Sequence, residues 1–161
     1  MTFLSGMIAI AALSTLLASG AQAASRPPSD LVGIWLDHTG RGAVELAPCG
    51  NRLCGRIVWL QDPNDKNGRP FTDGNNPRRA LRGQAICGLQ IVGNLKHVGR
   101  GVWDRGWIYD PEKGERYDVE LRRKGNRLRV LGYAGLKFLS ETMYWTQAPE
   151  DLKVCAASAG G

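Results

Sequence analysis

The sequence predicts an all-β fold, a single antiparallel up-and-down barrel of about eight strands. Three observations carry that expectation. Short runs alternate apolar and polar residues with the period of strands, most strictly in Tyr117-Asp118-Val119-Glu120-Leu121-Arg122. Turn chemistry separates most of the runs: Thr39-Gly40-Arg41-Gly42, Asp110-Pro111-Glu112-Lys113-Gly114, Lys124-Gly125-Asn126 and Ala134-Gly135. No segment sustains the 3.6-residue apolar periodicity of a core helix, so a helix-crossover parallel sheet is unfavoured. An antiparallel set of strands around one core either closes or leaves two edges open to other chains, and closure is favoured over a two-layer sandwich because consecutive hairpins need only one long crossover.

In chain order, Met1 to Ala24 contains no charged side chain, and the apolar run Met7 to Ala18 precedes the small-residue site Ala21-Gln22-Ala23. Residues 1–23 therefore read as a signal peptide cleaved after Ala23. The run is shorter than the ~20 residues a spanning helix needs, so the chain does not read as an integral membrane protein. Residues 24–30 form a Pro/Ser-containing linker, 31–147 the barrel, and 148–161 a flexible tail. The expected strands are Gly33 to His38, Ala43 to Pro48, Leu53 to Leu60, Cys87 to Asn94, Gly101 to Tyr109, Tyr117 to Arg122, Arg127 to Ala134 and Phe138 to Thr146. One long connection, Gln61 to Ile86, carries Pro63, Pro70 and Pro77, the run Asp73-Gly74-Asn75-Asn76, and Arg78, Arg79 and Arg82, with one helical turn at Pro77 to Leu81. Loops of this length are often lids or binding segments.

With 161 residues, 43% hydrophobic and 22% charged, the chain has the composition of one globular domain, which excludes wholesale disorder and a multi-span membrane protein. Two His leave little material for a metal or triad enzyme. Neither His38 nor His97 is paired in sequence with a nucleophile, and Ser140-Glu141 reads as alternating strand positions. Asp62 to Gly68 resembles a calcium loop only superficially, because Lys66 occupies the fifth, ligand-bearing position. No catalytic residue, metal or cofactor is assigned, and the expectation is a protein that is not an enzyme.

Export decides how the four cysteines are read, since thiols outside the cytoplasm usually oxidise. Cys49 and Cys54 flank the turn Gly50-Asn51-Arg52-Leu53, where a disulfide would staple a hairpin. Cys87 and Cys155 are the candidates for a second bridge, although four cysteines allow three connectivities and the sequence does not choose among them.

Five Trp and four Tyr fall mostly on the strands. Aromatic walls with a few polar handles suit a small-ligand pocket, and they equally suit a barrel filled by its own side chains. The candidate ligand-binding residues are Trp59, Trp103, Tyr109 and Tyr133, with Asn76 and Arg82 from the long loop as a lid. Gly55, Gly88, Gly101 and Gly132 either leave interior space or relieve strand bending. The expected ligand is small and apolar or amphiphilic. The alternative is a filled barrel that meets an anionic envelope surface, or a partner protein, through basic residues. The net charge of +6 concentrates at Arg78, Arg79 and Arg82 and at Arg122, Arg123, Lys124, Arg127 and Arg129. In an exported chain such residues meet lipid head groups rather than nucleic acid, or simply fill the outward positions of strands.

The run Pro48 to Leu60, then Asn75-Asn76-Pro77 with Ala80-Leu81-Arg82-Gly83, resembles the small secreted bacterial proteins grouped as domain of unknown function 2147. Gly106 to Pro111 with Gly114 and Tyr117, Gly132-Tyr133-Ala134-Gly135 and Trp145-Thr146 look like the same pattern, which spans Leu31 to Thr146. The resemblance implies a lipocalin-like barrel in the periplasm of Gram-negative bacteria, with no established activity. Gly33-Ile34-Trp35 is similar to the G-x-W of the first lipocalin strand, whose Trp usually meets an Arg beyond the last strand. Here only Lys153 follows Trp145, so Trp35 is read as simple core.

Overall fold

The computed structural model describes residues 29–155. The expected signal peptide with its cleavage site, and most of the expected linker, lie outside the described residues. Eight antiparallel strands close into a barrel in sequence order: β1 Gly33–Leu36, β2 Gly42–Cys49, β3 Arg52–Leu60, β4 Gln90–Gly99, β5 Val102–Asp110, β6 Glu115–Lys124, β7 Arg127–Tyr133 and β8 Ser140–Gln147. Among the described residues the helical content is one 3-10 turn, Arg79–Leu81, where the long loop was expected to turn.

The two ends of the barrel differ. At one end β2–β3, β4–β5 and β6–β7 are joined by two-residue turns, shown by the pairs Cys49↔Arg52, Gly99↔Val102 and Lys124↔Arg127. Gly50, Arg100, Gly101 and Gly125 supply the positive φ such turns require. Large side chains fill this end: Leu31, Trp35, Leu46, Leu53, Leu95, Trp103, Leu121, Leu128 and Trp145 are all buried in one cluster. Trp35 anchors it, donating from Nε1 to the Leu31 carbonyl at 2.9 Å. The cation expected beyond the last strand comes instead from β6: the Arg123 guanidinium lies 5.4 Å from the Trp35 ring and donates to the Asp30 carbonyl at 2.8 Å. The other end carries the longer connections, including residues 61–89.

Strand bounds depart from the sequence reading where the backbone bulges. β4 begins at Gln90 because Gly88 takes φ 92° in a turn whose N–H bonds the Ile57 carbonyl. It continues past Asn94 to Gly99 because Asn94, at φ 59°, is a bulge and not a strand end. Leu53 pairs with Leu95 but Gly55 with Val92, so the bulge keeps both Leu95 and Val92 in the core cluster. A second shift, between Ala43 and Val44 opposite β3, pairs Val44 with Ile57 and Ala43 with Trp59. Leu60, and not Trp59, then packs on the core cluster.

Two disulfides are present, Cys49–Cys54 across the first tight hairpin and Cys87–Cys155. The second corrects the expectation of a free tail for its described part. Ala148 N–H bonds the Ile34 carbonyl and Cys155 N–H the Val58 carbonyl, so residues 148–155 cross from β1 to β3 and are covalently held there.

Candidate functional site

The long loop is not a loose excursion. Asp73 is fully buried, and its carboxylate accepts from the Tyr109 hydroxyl at 2.8 Å and from Asn76 Nδ2 at 2.6 Å. Arg82 Nε donates to the Asn76 carbonyl at 2.7 Å, and Asn75 Nδ2 to the Glu112 carbonyl at 2.7 Å. Gly114 completes the latch: at φ 69°, a Cβ on it would lie 2.1 Å from the Asn75 carbonyl oxygen. Two predicted site residues, Asn76 and Tyr109, thus meet at a carboxylate that the sequence reading placed only in a turn-like run, and a third, Arg82, joins them through the Asn76 carbonyl.

Burial and the Asp73 hydrogen bond push the Tyr109 hydroxyl up to about 12. A phenol whose pKa is raised on folding contributes stability that is fully present below its unfolded value near ~10 and is lost as pH rises through the folded value. The protein is therefore expected to lose stability between about pH 10 and 12, and Tyr109→Phe to lose less over that window, as read by urea midpoints at each pH. An identical slope in both proteins would contradict the assignment.

The remaining predicted residues lie elsewhere. Trp103 is core at the tight-hairpin end, 4% exposed, with its ring 5.4 Å from that of His97. Trp59 is half-buried and stands outside the core cluster. Tyr133 belongs to the outer face, where its hydroxyl donates to Asp104 Oδ1 at 2.9 Å. Lys137 joins Asp104 and Glu120 there, and Arg129 pairs with Glu120 at 3.0 Å. Partial burial raises the Asp104 pKa, but hydrogen bonds from Lys137, the Arg105 N–H and Tyr133 outweigh it and hold the carboxyl below the usual range. Of the basic residues singled out in the sequence, Arg82, Arg123 and Arg129 are thereby engaged in structural contacts.

Of the four glycines considered for interior space, Gly88 and Gly101 lie at positive φ in turns. Gly55 is filled in, since a Cβ there would lie 2.8 Å from Leu46 and 3.0 Å from Val92. Gly132 differs: a Cβ on it would meet nothing within 4 Å. It pairs with core residue Val119 on one side and with exposed Glu141 on the other, so the free space lies on the inner face at the long-loop end. Tyr117 and Met143 pack on the core nearby, and the Tyr117 hydroxyl donates to Glu115. Lys113 Nζ stands 3.5 Å from Asp110, and the charges of Asp110, Tyr117 and Glu141 raise its pKa. The mouth of the barrel therefore combines an apolar floor with a rim of mixed charge.

A family model described as an uncharacterized protein conserved in bacteria, domain of unknown function 2147, matches residues 33–147. The chain belongs to that family. No curated protein matches it. Among solved structures, this member of the 2147 family is similar to protein HP1028 from the human pathogen Helicobacter pylori, which belongs to the lipocalin family. The two share 20% identity at a TM-score of 0.65, covering 76% of this chain and 85% of that one. The likeness is one of fold, and it identifies the barrel of this 2147-family chain as lipocalin-like. Among the described residues no helix is long and apolar enough to cross a membrane.

Proposed function

We propose that this 2147-family protein is exported to the periplasm and holds a small amphiphilic molecule in the mouth of its barrel, by binding and not by catalysis. The observation that carries the reading is the open inner face at Gly132, the one interior glycine position of the four that is neither a turn nor already filled. Large side chains occupy the tight-hairpin end, which limits the ligand to the half of the barrel beneath the long loop. Its apolar part would lie on Val119, Ile108 and Met143, and its polar part among Tyr117, Lys113 and Glu141. Two disulfides fit an oxidising compartment.

Tryptophan fluorescence titrated with fatty acids, lysophospholipids and alkyl amines tests this, alongside native mass spectrometry of protein taken from its own periplasm. A saturable response is expected in the parent chain. Gly132→Leu, which fills the mouth without straining a strand backbone, is expected to weaken binding at least tenfold while leaving the thermal midpoint unchanged or raised. No response to any probe, or an unaltered one in Gly132→Leu, would sink the proposal.

A further inference from the structure

The β7–β8 connection presents Leu136, Phe138 and Leu139 at 57%, 78% and 63% exposure, a degree of display that packing does not explain. The only charged residue between them is turned toward the barrel wall. Lys137 reaches back to Asp104 at 2.6 Å and to Glu120 at 2.5 Å, two carboxylates that are themselves largely buried. Its charge is thus paired at the outer face of the barrel, with the side chain still 43% exposed, and the three other side chains of the tip are apolar. The tip's backbone is also partly satisfied from within, Leu136 N–H bonding the Ala134 carbonyl at 2.8 Å and Leu139 N–H the Leu136 carbonyl at 3.0 Å. A segment that carries its own hydrogen bonds enters a low-dielectric medium at smaller penalty than one with bare amides.

Beside the tip runs an outer groove of about 460 Å³, lined by Ala134 and Gly135 from the connection itself and by Asn94, Arg105, Trp107 and Arg116. Arg116 stacks 4.1 Å over the Trp107 ring, which lies against Gly93 so closely that a Cβ there would stand 2.4 Å from it. Arg105 adopts φ 60°, a conformation that costs a bulky residue about 1–2 kcal/mol, and lines the groove. Among the described residues neither guanidinium has a carboxylate partner within salt-bridge distance. The groove's carboxylate, Asp118, accepts the Gly135 N–H at 3.3 Å and so fixes the base of the tip. Glu141, which follows the tip, pairs with Gly132 and belongs to the inner face, away from the groove.

We propose that the Leu136-Lys137-Phe138-Leu139 tip and the Arg105/Arg116 groove together dock the protein on an anionic lipid bilayer, the tip entering the interface while the two guanidiniums meet phosphates. Three apolar side chains on one turn are too little area for a stable protein interface, which needs roughly 800 Å² per partner. They suffice for reversible interfacial insertion when unpaired cations stand beside them. The same end of the barrel carries the open mouth, so docking would turn that mouth toward the bilayer. The proposal does not depend on a ligand being bound there.

Co-sedimentation of the mature, oxidised protein with phosphatidylcholine vesicles, with and without phosphatidylglycerol, is the test. Binding is expected to the phosphatidylglycerol vesicles, to weaken as salt is raised, and to survive millimolar inorganic phosphate, which separates a bilayer from a free-anion site. Phe138→Ser is expected to weaken it about tenfold, and Arg105→Gln with Arg116→Gln about thirtyfold. Phe138 is too exposed for its loss to unfold the barrel, and an unchanged thermal midpoint in Phe138→Ser confirms that the effect is on docking. Absence of binding to phosphatidylglycerol vesicles, or binding indifferent to Phe138→Ser, would overturn the proposal, as would full competition by phosphate.

Discussion

Replacing Cys87 and Cys155 together by Ser is expected to destabilise the protein by about 4 kcal/mol, twice the ~2 kcal/mol expected for the Cys49, Cys54 pair. The difference follows from the loops they close. Cys49 and Cys54 are five residues apart on strands already joined by a tight turn, whereas Cys87 and Cys155 are separated by 68 residues that include five of the eight strands. The longer bridge also holds the tail, whose Ala148 N–H supports the meeting of β1 with β8. Urea denaturation of the two double variants checks the ratio. Equal losses would show that the long bridge does not restrict the unfolded chain as its span implies.

Asp73→Ala is expected to be the most damaging single change in the long loop, at about 3 kcal/mol. It removes an acceptor of two charge-assisted hydrogen bonds and strands the Tyr109 hydroxyl and the Asn76 amide where water reaches them poorly. Because Asn76 in turn receives Arg82, and Asn75 holds the β5–β6 turn, the loss should spread along residues 61–86. Limited proteolysis is expected to shift to that segment in the variant. Asp73→Asn, which keeps an acceptor, should fall about midway. If Asp73→Ala costs no more than Tyr109→Phe, the loop is held by something other than this carboxylate.

Much of the barrel was legible because its determinants are local. Alternation in β6 and the glycines of the two-residue turns report their conformation without reference to the rest of the chain. The misplaced details are those that depend on a partner strand. Asn94 looks like a strand end, and only its pairing with β3 and β5 makes it a bulge. Trp59 shares the alternation of Ile57 in the sequence, yet the register shift opposite Ala43 brings Leu60 to the core in its place. The candidate site was legible to the same degree. Asn76, Arg82 and Tyr109 were singled out separately, but the buried Asp73 that unites them gave no signal, since an Asp-Gly-Asn-Asn run reads as an ordinary turn. Nor could spacing reveal that Arg123 would cover Trp35, or that Lys137 would be drawn off its own apolar tip by carboxylates on β5 and β6.

The ring is closed by unequal joints. Seven of its seams are hairpins or strand pairs between consecutive elements, whereas β1 meets β8 through two residue pairs, Trp35↔Gln147 and Leu36↔Thr146. The consecutive pairs joined by short turns can form as soon as the turn does, but this last seam brings together the two ends of the domain and must bear the full entropy of closing so long a loop. It is therefore the joint that opens first. Breathing there would expose the Trp35 end of the core to solvent and free the amides of β1 for exchange, while the six remaining hairpin-linked strands stayed intact. A barrel so constructed behaves less as a sealed drum than as a rolled sheet held by a clasp, and the Cys87–Cys155 bridge is what keeps the free edge from unrolling.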